Sequence, residues 1–249
     1  MRVAAIYDIH GNLPALEAVL RDIGRLDVDV VVVGGDVLPG PMAREALDVL
    51  RALSLPVRYL HGNGDRGALQ AREGRENLEI PAAAREAIRW SADQLVPEHA
   101  EWIASWPGTL RVEIPGLGQV LFCHATPQSD TEIFTRVTPE TRLLPMFATS
   151  GAAVVVCGHT HMPFDRMVGG TRVVNAGSVG MPFGEPGADW LLLGPGVEPQ
   201  HTTYDLADAA ARIERTAYPG AAEFAARYVM NPPTESEMLR AFGGGPVAG

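Results

Sequence analysis

Short apolar runs alternate with helical patterns along the first part of the chain. Three runs rich in β-branched residues, Val3–Tyr7, Val28–Val33 and Val57–Leu60, have the length and composition of buried strands. Between them, apolar residues recur at helical spacing from Leu13 to Ile23, and residues 43–53 also have a helical pattern. The alternation of strand, polar loop and helix predicts an α/β sheet whose functional loops lie at the carboxyl ends of the strands.

The rest of the chain mixes further helices with hairpin patterns. Residues 66–106 and 205–229 have helical patterns, and apolar runs separated by glycine-containing turns predict two β-hairpins and further strands. These strands are predicted at Thr109–Ile114, Gln119–Cys123, Val154–Cys157, Phe164–Val168, Thr171–Asn175, Trp190–Leu193 and His201–Tyr204. We expect a single domain over residues 1–241 and a flexible tail, rich in glycine and proline, over 242–249.

Five of the predicted strands end in residues that can bind metal ions. The oxygen and imidazole donors at these ends are Asp8, His10, Asp36, Asn63, His124, His159 and His161. Because the carboxyl ends of neighbouring strands converge at one edge of a sheet, we expect these side chains to gather in one place. Such donors suit manganese, iron, zinc, nickel or cobalt. Asp-x-His and Gly-Asp alone are also ordinary turn sequences, so the prediction depends on the whole set.

The order of these motifs resembles the calcineurin-like metallophosphoesterase superfamily, and its bacterial small-phosphodiesterase branch in particular. The motifs that carry the resemblance, over residues 1–204, are Asp8-x-His10, Gly35-Asp36, Gly62-Asn63-x-Asp65, His124, Gly158-His159-x-His161 and Asn175–Gly180. The resemblance implies a four-layer α-β-β-α sandwich with two mixed sheets and a dinuclear metal site at the strand ends. It implies that Asp36 bridges two metal ions, one held also by Asp8, His10 and His161, the other also by Asn63, His124 and His159.

The function that the resemblance implies is phosphoric ester hydrolysis. We expect a phosphodiesterase that hydrolyses small phosphodiester or nucleotide-type substrates through a hydroxide bridging two divalent ions. Manganese is the expected metal, with iron, zinc, nickel, cobalt and magnesium as alternatives. His10, Asn63 and His124 are the candidate catalytic residues, and His61 and Asp65 are candidates for orienting the ligands. The alternatives are a phosphomonoesterase or protein phosphatase of the same superfamily, and a non-catalytic metal-binding scaffold for other proteins.

One position departs from the pattern of many superfamily members. Where these have a histidine directly after the asparagine, thought to stabilise the transition state or protonate the leaving group, this chain has Gly64. General acid–base help is worth about 10²–10⁴-fold in rate, and its absence slows the departure of poor leaving groups most. We therefore expect phosphodiesters or activated phosphate esters as substrates, in preference to simple alkyl monoesters.

Composition and charge narrow the range of partners. The 249 residues carry a net charge of −10, and all 20 basic residues are arginine, so chemistry that needs a lysine is excluded. An acidic chain without a run of arginines is a poor partner for long nucleic acids. The sequence contains no stretch of ~20 apolar residues, which a membrane-spanning helix would need. We expect a cytoplasmic protein with a small phosphoester substrate, and leave its oligomeric state open. Cys123 and Cys157 lie in predicted strands and need not form a disulfide.

Two shorter motifs offer rival functions. Residues 62–67 match the dinucleotide-binding pattern G-x-G-x-x-G, but they follow the third predicted strand rather than the first. The segment Ala176–Gly180 is close to the nucleophile elbow of serine hydrolases, with Asp189 and His201 downstream. Its first glycine is replaced by alanine, however, and no helical pattern follows it. Both rivals rest on a single motif, whereas the metal-binding interpretation rests on several.

Overall fold

The computed structural model describes residues 1–243, which form two five-stranded β-sheets and the helices around them. The strands, numbered in chain order, are β1 (Val3–Ile6), β2 (Val30–Val33), β3 (Val57–Tyr59), β4 (Thr109–Ile114), β5 (Gly118–Cys123), β6 (Val154–Cys157), β7 (Phe164–Val168), β8 (Thr171–Asn175), β9 (Ala188–Leu193) and β10 (Val197–Thr202). The helices are α1 (Leu13–Ile23), α2 (Ala43–Arg51), α3 (Asn63–Arg72), α4 (Ala82–Gln94), α5 (Pro97–Ala104), α6 (Glu140–Phe147), α7 (Leu206–Glu214), α8 (Ala221–Phe224) and α9 (Glu235–Gly243). A π-helical segment, Ala225–Met230, directly follows α8.

Both sheets are mixed. The first has the order β10-β9-β1-β2-β3, in which β1, β2 and β3 are parallel and β9 runs antiparallel to both of its neighbours. The second has the order β4-β5-β6-β8-β7, in which β5, β6 and β8 are parallel and the two edge strands are antiparallel to their neighbours. Parallel strands leave the loops that follow them at a common edge, which is where the candidate ligands lie.

The two sheets pack face to face, and helices cover their outer faces. Val3, Ala5 and Tyr7 belong to the same buried cluster as Phe122 and Val156 of the second sheet. The alternate residues of β1 point to the other face, into a cluster formed with α1 and α2. Helix α6 packs on the outer face of the second sheet. These layers confirm the predicted α-β-β-α sandwich.

Helix α1 begins directly after the first two candidate ligands. The side chain of Asn12 caps the helix by accepting from the Ala15 N–H at 3.2 Å, and Pro14 lies in the first turn. The same side chain donates to the carbonyl of Gly180 at 2.9 Å. Asn12 is fully buried, so this contact holds the loop after β1 against the segment that precedes β9.

Most predicted elements are present with shifted ends. Strand β2 begins at Val30 rather than Val28, and β10 is centred upstream of the predicted position. The predicted helical stretch 205–229 is interrupted around Gly220, whose φ of 78° lies in the left-handed region. Helices α6 and α9 were not predicted; α6 contains Pro145, which weakens a helical pattern. Phe242 and Gly243, assigned by the sequence to a flexible tail, end α9, and residues 244–249 lie outside the described part.

Two further expectations concern cysteines and membranes. Cys123 and Cys157 are buried at the ends of β5 and β6, and both are free thiols. Within residues 1–243, none of the helices combines the length and the apolar character needed to cross a bilayer.

Candidate metal centre

The candidate ligands follow strands of both sheets. Asp8 and His10 follow β1, Asp36 follows β2, Asn63 follows β3, His124 follows β5, and His159 and His161 follow β6. Backbone hydrogen bonds join the loops, among them one from the Gly158 N–H to the carbonyl of His124 at 2.8 Å. All seven side chains lie together where the ends of the two sheets meet. The sequence predicts that the candidate ligands lie at the edge of one sheet, whereas in the structure they are divided between the two sheets.

The first group of ligands consists of Asp8, His10 and His161, all buried. Nε2 of His161 lies 3.3 Å from Oδ1 of Asp8 and 3.2 Å from Nε2 of His10. Oδ2 of Asp36 approaches this group from the side, 3.8 Å from Nε2 of His10. Atoms at these separations can share one cation, since metal–ligand bonds of about 2.0–2.2 Å place neighbouring ligand atoms roughly 3 Å apart.

The second group consists of Asp36, His124 and His159, with Asn63 beside them. Oδ2 of Asp36 lies 3.5 Å from Nε2 of His124. The same carboxylate oxygen therefore faces both groups, which is the position that a bridging ligand requires. Two groups of donors around one shared carboxylate match the arrangement of a two-metal site.

The polar atoms of the first group fit a cation. His10 Nδ1 donates to the carbonyl of Pro39 at 3.2 Å, and His161 Nδ1 donates to the carbonyl of Met181 at 2.9 Å. Both imidazoles, when neutral, then carry a lone pair on Nε2, and the two lone pairs face each other across 3.2 Å. Oδ1 of Asp8 is buried without a hydrogen-bond partner. A cation between these atoms would remove the repulsion and satisfy the carboxylate oxygen.

In the second group, the side-chain oxygen of Asn63 likewise faces other hydrogen-bond acceptors. Its Oδ1 lies 3.1 Å from Nε2 of His124 and 3.0 Å from Nδ1 of His159, and it also faces the carbonyl of Asp130. His124 Nδ1 donates to the carbonyl of Gly34 at 3.0 Å, so its Nε2 is an acceptor when the ring is neutral. Without a cation, the amide nitrogen would suit this position better than the oxygen, because it can donate to these acceptors. A cation bound between Asn63, His124 and His159 would instead favour the amide oxygen at this position.

Burial and the two carboxylates set the ionisation of the histidines. Burial, together with the nearby His124, lowers the pKa of His159 to about 4. Burial likewise lowers the pKa of His10, with His161 adding to the effect. Burial also opposes protonation of His124, but the carboxylate of Asp36 outweighs it and raises the pKa of His124 to about 10. His10 and His159 are therefore neutral at pH 7, the form in which histidine binds a metal ion.

Five of the seven candidate ligands have a left-handed backbone. Among the described residues other than glycine, positive φ angles occur at Asp8 (53°), His10 (46°), Asp36 (50°), His159 (68°) and His161 (55°). Such conformations cost about 1–3 kcal/mol each for residues with a Cβ, and they cluster at functional sites. Nothing in the sequence distinguishes these positions as left-handed. Their restriction to the ligand set indicates that the chain is shaped to aim these side chains at one point.

The sequence of this chain matches a known protein family over most of its length. The family model described as the calcineurin-like phosphoesterase superfamily domain matches residues 1–193. The chain belongs to this superfamily. The resemblance drawn from the motifs is confirmed, and the matched region contains all seven candidate ligands.

Similar proteins span most of the chain. The chain is 30% identical over 179 residues to the uncharacterized protein MJ0912 of Methanocaldococcus jannaschii, covering 71% of this chain and 69% of that protein. A solved structure of a metallophosphoesterase from Sphaerobacter thermophilus is 28% identical, with a TM-score of 0.72, and the match covers 92% of this chain and 99% of that one. The hypothetical protein PH1004 from Pyrococcus horikoshii OT3 shares the fold, with 21% identity, a TM-score of 0.77, and coverage of 94% and 99%.

The departure from the superfamily pattern at Gly64 has a local cause. A Cβ at this position would lie 2.2 Å from the carbonyl oxygen of Leu38, a contact too short for any side chain. The N–H of Gly64 also donates to Oδ1 of Asp36 at 2.7 Å. The loop after β2 therefore passes so close to the start of α3 that the histidine of other members has no room here.

Two more glycines are needed because backbone passes close to a ligand carboxylate. A Cβ on Gly62 would lie 2.1 Å from Oδ1 of Asp36, and a Cβ on Gly158 would lie 2.4 Å from Oδ2 of Asp8. Real Cβ atoms do not approach oxygen this closely, so any larger residue would displace the carboxylate. Both glycines were quoted in the motifs, but only the structure shows what each one accommodates.

Asp65 is fully buried beneath the second group and holds three backbone segments. Its carboxylate accepts from the N–H groups of Asp36 at 2.8 Å, Gly62 at 3.0 Å and Leu38 at 3.0 Å. Burial, followed by the charge of Asp36, raises the pKa of Asp65 to about 7, while the N–H groups of Gly62 and Leu38 oppose the shift. Asp65 therefore contacts the loops that carry the ligands, as expected for a residue that orients them.

His61 lies at the edge of the centre, beside the ion pair that Arg66 forms with Asp130. Its Nδ1 is 3.9 Å from Oδ2 of Asp130, which makes a two-point hydrogen bond with Arg66 at 2.7 and 2.8 Å. His61, Arg66 and Asp130 line a recess of about 410 Å³ that also reaches His124. Neither Arg66 nor Asp130 was singled out from the sequence, since an isolated arginine and aspartate carry no motif. A role of His61 in orienting a metal ligand stays a prediction.

The segment after β8 positions the first group rather than forming a nucleophile. Ser178 is fully buried; its hydroxyl donates to the carbonyl of Asp8 at 2.7 Å and accepts from the Met181 N–H at 2.8 Å. His201 instead pairs with Asp189 at 2.7 Å. These contacts leave Ser178 no histidine partner, so the serine-hydrolase arrangement considered from the sequence is not formed.

Proposed function

We propose that this chain is a metal-dependent phosphoesterase that hydrolyses small phosphodiesters or activated phosphate esters. The observation that carries the proposal is the convergence of two groups of imidazole and carboxylate donors on a shared residue, Asp36. Membership of the superfamily supports the general chemistry. The preference for diesters is our inference from the residues of this chain.

Each candidate ligand has a distinct task in the proposal. Asp8, His10 and His161 would hold one divalent cation, and His124, His159 and Asn63 the other, with Asp36 between them. Bound there, such a pair of cations would act as Lewis acids toward a phosphoryl group and would acidify a shared water. His10, Asn63 and His124 stay the candidate catalytic residues; His10 belongs to the first group, and Asn63 and His124 lie in contact at the second.

The charge of the ligand set suits a phosphate ester. Only Asp8 and Asp36 contribute negative charge, and Asn63 adds an oxygen donor without adding another. Two divalent cations would therefore leave the centre net positive, although the whole protein carries −10. Backbone carbonyls of Gly34, Pro39 and Met181 hold the three imidazoles in place and fix which nitrogen faces the centre.

The region around Gly64 supports the preference for good leaving groups. Because the carbonyl of Leu38 occupies the space of a side chain at this position, the usual histidine cannot protonate a departing alkoxide. An aryl or nucleoside ester needs less help than a simple alkyl monoester. A small phosphoester remains the proposed partner, and manganese the proposed metal, with iron, zinc, nickel, cobalt or magnesium as alternatives.

The decisive experiment is a matrix of metals and substrates. Protein stripped by a chelator is reconstituted with each of the six metals and assayed with bis(4-nitrophenyl) phosphate, a cyclic nucleotide and a sugar monophosphate. We expect hydrolysis to depend on added metal and to be fastest with a diester. A clear preference for the sugar phosphate would instead favour the phosphomonoesterase alternative, and metal binding without hydrolysis of any ester would favour a scaffold.

A further inference from the structure

A second cleft opens on the other side of the candidate centre, at His10. It has a volume of about 590 Å³, within the range of small-molecule sites, and lies between α4 and the C-terminal helices. Tyr218, Phe224 and Tyr228 line it from the C-terminal side, and Glu86 from α4. Because His10 is a candidate ligand, a phosphoryl group held at the centre would lie at the mouth of this cleft.

The C-terminal wall of the cleft presents two half-buried rings, Tyr218 and Tyr228, with the buried ring of Phe224 between them. The rings of Trp90 and Tyr218 meet edge to face at 5.2 Å between centroids, Tyr218 and Phe224 at 6.0 Å, and Phe224 and Tyr228 at 5.4 Å. Phe224 is buried in a cluster with α7 and the π-helical segment, which fixes the wall against α1. Such a surface suits a flat apolar group.

The charged side chains that line the cleft are acidic. Glu86 and Glu223 both line it and are exposed, while the lining contains neither arginine nor lysine in the part of the chain that the structure describes. The guanidinium of Arg227 lies against the ring of Tyr228, 5.8 Å from its centroid, but is not part of the lining. The recess on the opposite side of the centre, by contrast, contains His61 and Arg66, the latter paired with Asp130. A carboxylate or second phosphate is therefore repelled from the His10 side, and an uncharged group is not.

The residues of this wall lie outside the part of the chain that defines the superfamily. The family match ends at residue 193, whereas Tyr218, Phe224 and Tyr228 follow it. The shared region thus contains the candidate ligands, and the C-terminal helices add a surface of their own beside them. Helices that lie outside the region matched by the family and beside the candidate metal centre are well placed to select among substrates.

We propose that this cleft binds an uncharged aromatic ester group of the phosphodiester, and that Glu86 and Glu223 exclude anionic groups from it. The proposal rests on the proposed function, because it places the phosphoryl group at the metal centre. It adds a substrate class: diesters with one uncharged aromatic arm, rather than esters with a further phosphate or carboxylate on that arm.

The test compares two substrates that differ by one charge. Phenyl 4-nitrophenyl phosphate and 4-carboxyphenyl 4-nitrophenyl phosphate release the same nitrophenolate, and methyl 4-nitrophenyl phosphate lacks the second ring. With metal-loaded protein we expect kcat/KM for the phenyl ester to exceed that for the carboxyphenyl ester by about tenfold, equivalent to 1.4 kcal/mol. The E86Q/E223Q double variant should bring the two values to within about threefold and leave the methyl ester unchanged.

Matched variants separate the charge from a general effect. E113Q/E198Q removes two exposed glutamates outside the cleft lining and should retain the tenfold preference. Tyr228→Ala should lower kcat/KM for the phenyl ester several-fold while sparing the methyl ester. Equal rates for phenyl and carboxyphenyl esters in the unaltered protein, or the same preference in E86Q/E223Q, would overturn the inference and leave the proposed function standing. Hydrolysis of none of the three esters with any metal would instead overturn the proposed function.

Discussion

The backbone N–H of His159 donates to Oδ2 of Asp8 at 2.8 Å, across 151 positions of the chain. Asp8 follows β1 of the first sheet and His159 follows β6 of the second, so this hydrogen bond joins the two sheets at the candidate centre. The other oxygen of Asp8 is buried without a partner and faces His161. One carboxylate therefore both fixes the sheets to each other and presents an oxygen to a cation.

Removing Asp36, which faces both groups, or His124 of the second group should remove most of the activity. In Asp36→Ala or His124→Ala, we expect metal content per chain to fall and hydrolysis of bis(4-nitrophenyl) phosphate to drop by more than about 100-fold, since loss of a ligand exceeds the usual effect of its supporting partners. Elemental analysis and steady-state kinetics measure both. Asp93→Ala, at an exposed position of α4, is the matched control and should change neither. Full activity in both ligand variants would contradict the site.

Asp65 should matter for both metal affinity and stability, although it binds no cation. In Asp65→Asn, one of the two acceptor oxygens is replaced by an amide nitrogen, which then faces either the N–H donors of Asp36 and Gly62 or that of Leu38. We expect a loss of about 1–3 kcal/mol in the free energy of unfolding. We also expect a metal affinity about 10–100-fold weaker, which is the usual effect of removing a residue that supports metal ligands. Denaturant titration and calorimetric metal titration give the two values. Unchanged metal affinity would show that the three loops hold their positions without this carboxylate.

Gly158 should tolerate no side chain. A Cβ there would lie 2.4 Å from Oδ2 of Asp8, so Gly158→Ala displaces the carboxylate that joins the sheets. We expect a loss of about 2 kcal/mol or more in stability and a large loss of metal binding. Gly170→Ala is the control, because a Cβ at that turn meets no atom within 4 Å. Similar melting temperatures for the two variants would argue against the close approach.

Cation binding should stabilise the folded protein. The unpartnered oxygen of Asp8 and the facing Nε2 atoms of His10 and His161 are unfavourable contacts that a bound ion relieves. At 100 times the dissociation constant, one ion adds about 2.7 kcal/mol, which corresponds to about 5–11 °C in melting temperature for a chain of this size. Differential scanning calorimetry with manganese and with a chelator measures the shift. Asp36→Ala should show a smaller shift, and an equal shift in that variant would place the binding elsewhere.

The stability of the chelated protein should decline on the alkaline side of neutral pH, where His124 titrates, while below pH 7 the raised pKa of Asp65 and the lowered pKa of His159 act in opposite directions. The pKa of His159 is lowered from 6.5 to about 4, so its contribution to stability is lost as the pH falls below 6.5, where the unfolded chain binds the proton more strongly. The pKa of His124 is raised from 6.5 to about 10, so its contribution is lost as the pH rises toward 10. Denaturant midpoints across pH 4 to 10 test this; in His124→Gln the alkaline decline should be smaller.

The strands and the ligand set could be predicted because both leave a local signal. Runs such as Val30–Val33 and Val154–Cys157 are continuous and rich in β-branched residues, and glycine followed by a polar residue after each run marks where the strand ends. The left-handed backbone at His159 and His161 leaves no such signal, since it results from loops held by contacts distant in sequence. The same is true of the division of ligands between two sheets.

The cleft beside His10 could not be predicted for a related reason. Tyr218 and Tyr228 lie in a stretch whose apolar pattern indicates only a packed helix, and the break at Gly220 that orients them is a matter of local backbone conformation. Glu86 lies on a different helix, distant in sequence, so its position opposite Glu223 follows only from the tertiary fold. Exposed glutamates are too common for either to stand out in the sequence alone.

The division of the ligands between the two sheets also bears on biosynthesis. Asp8, His10 and Asp36 leave the ribosome early, but their cation cannot be enclosed until β6 has been made and His161 has followed it. A nascent or truncated chain ending before that point holds only part of each donor set. We therefore expect the chain to bind its cations only after His161 has been synthesised.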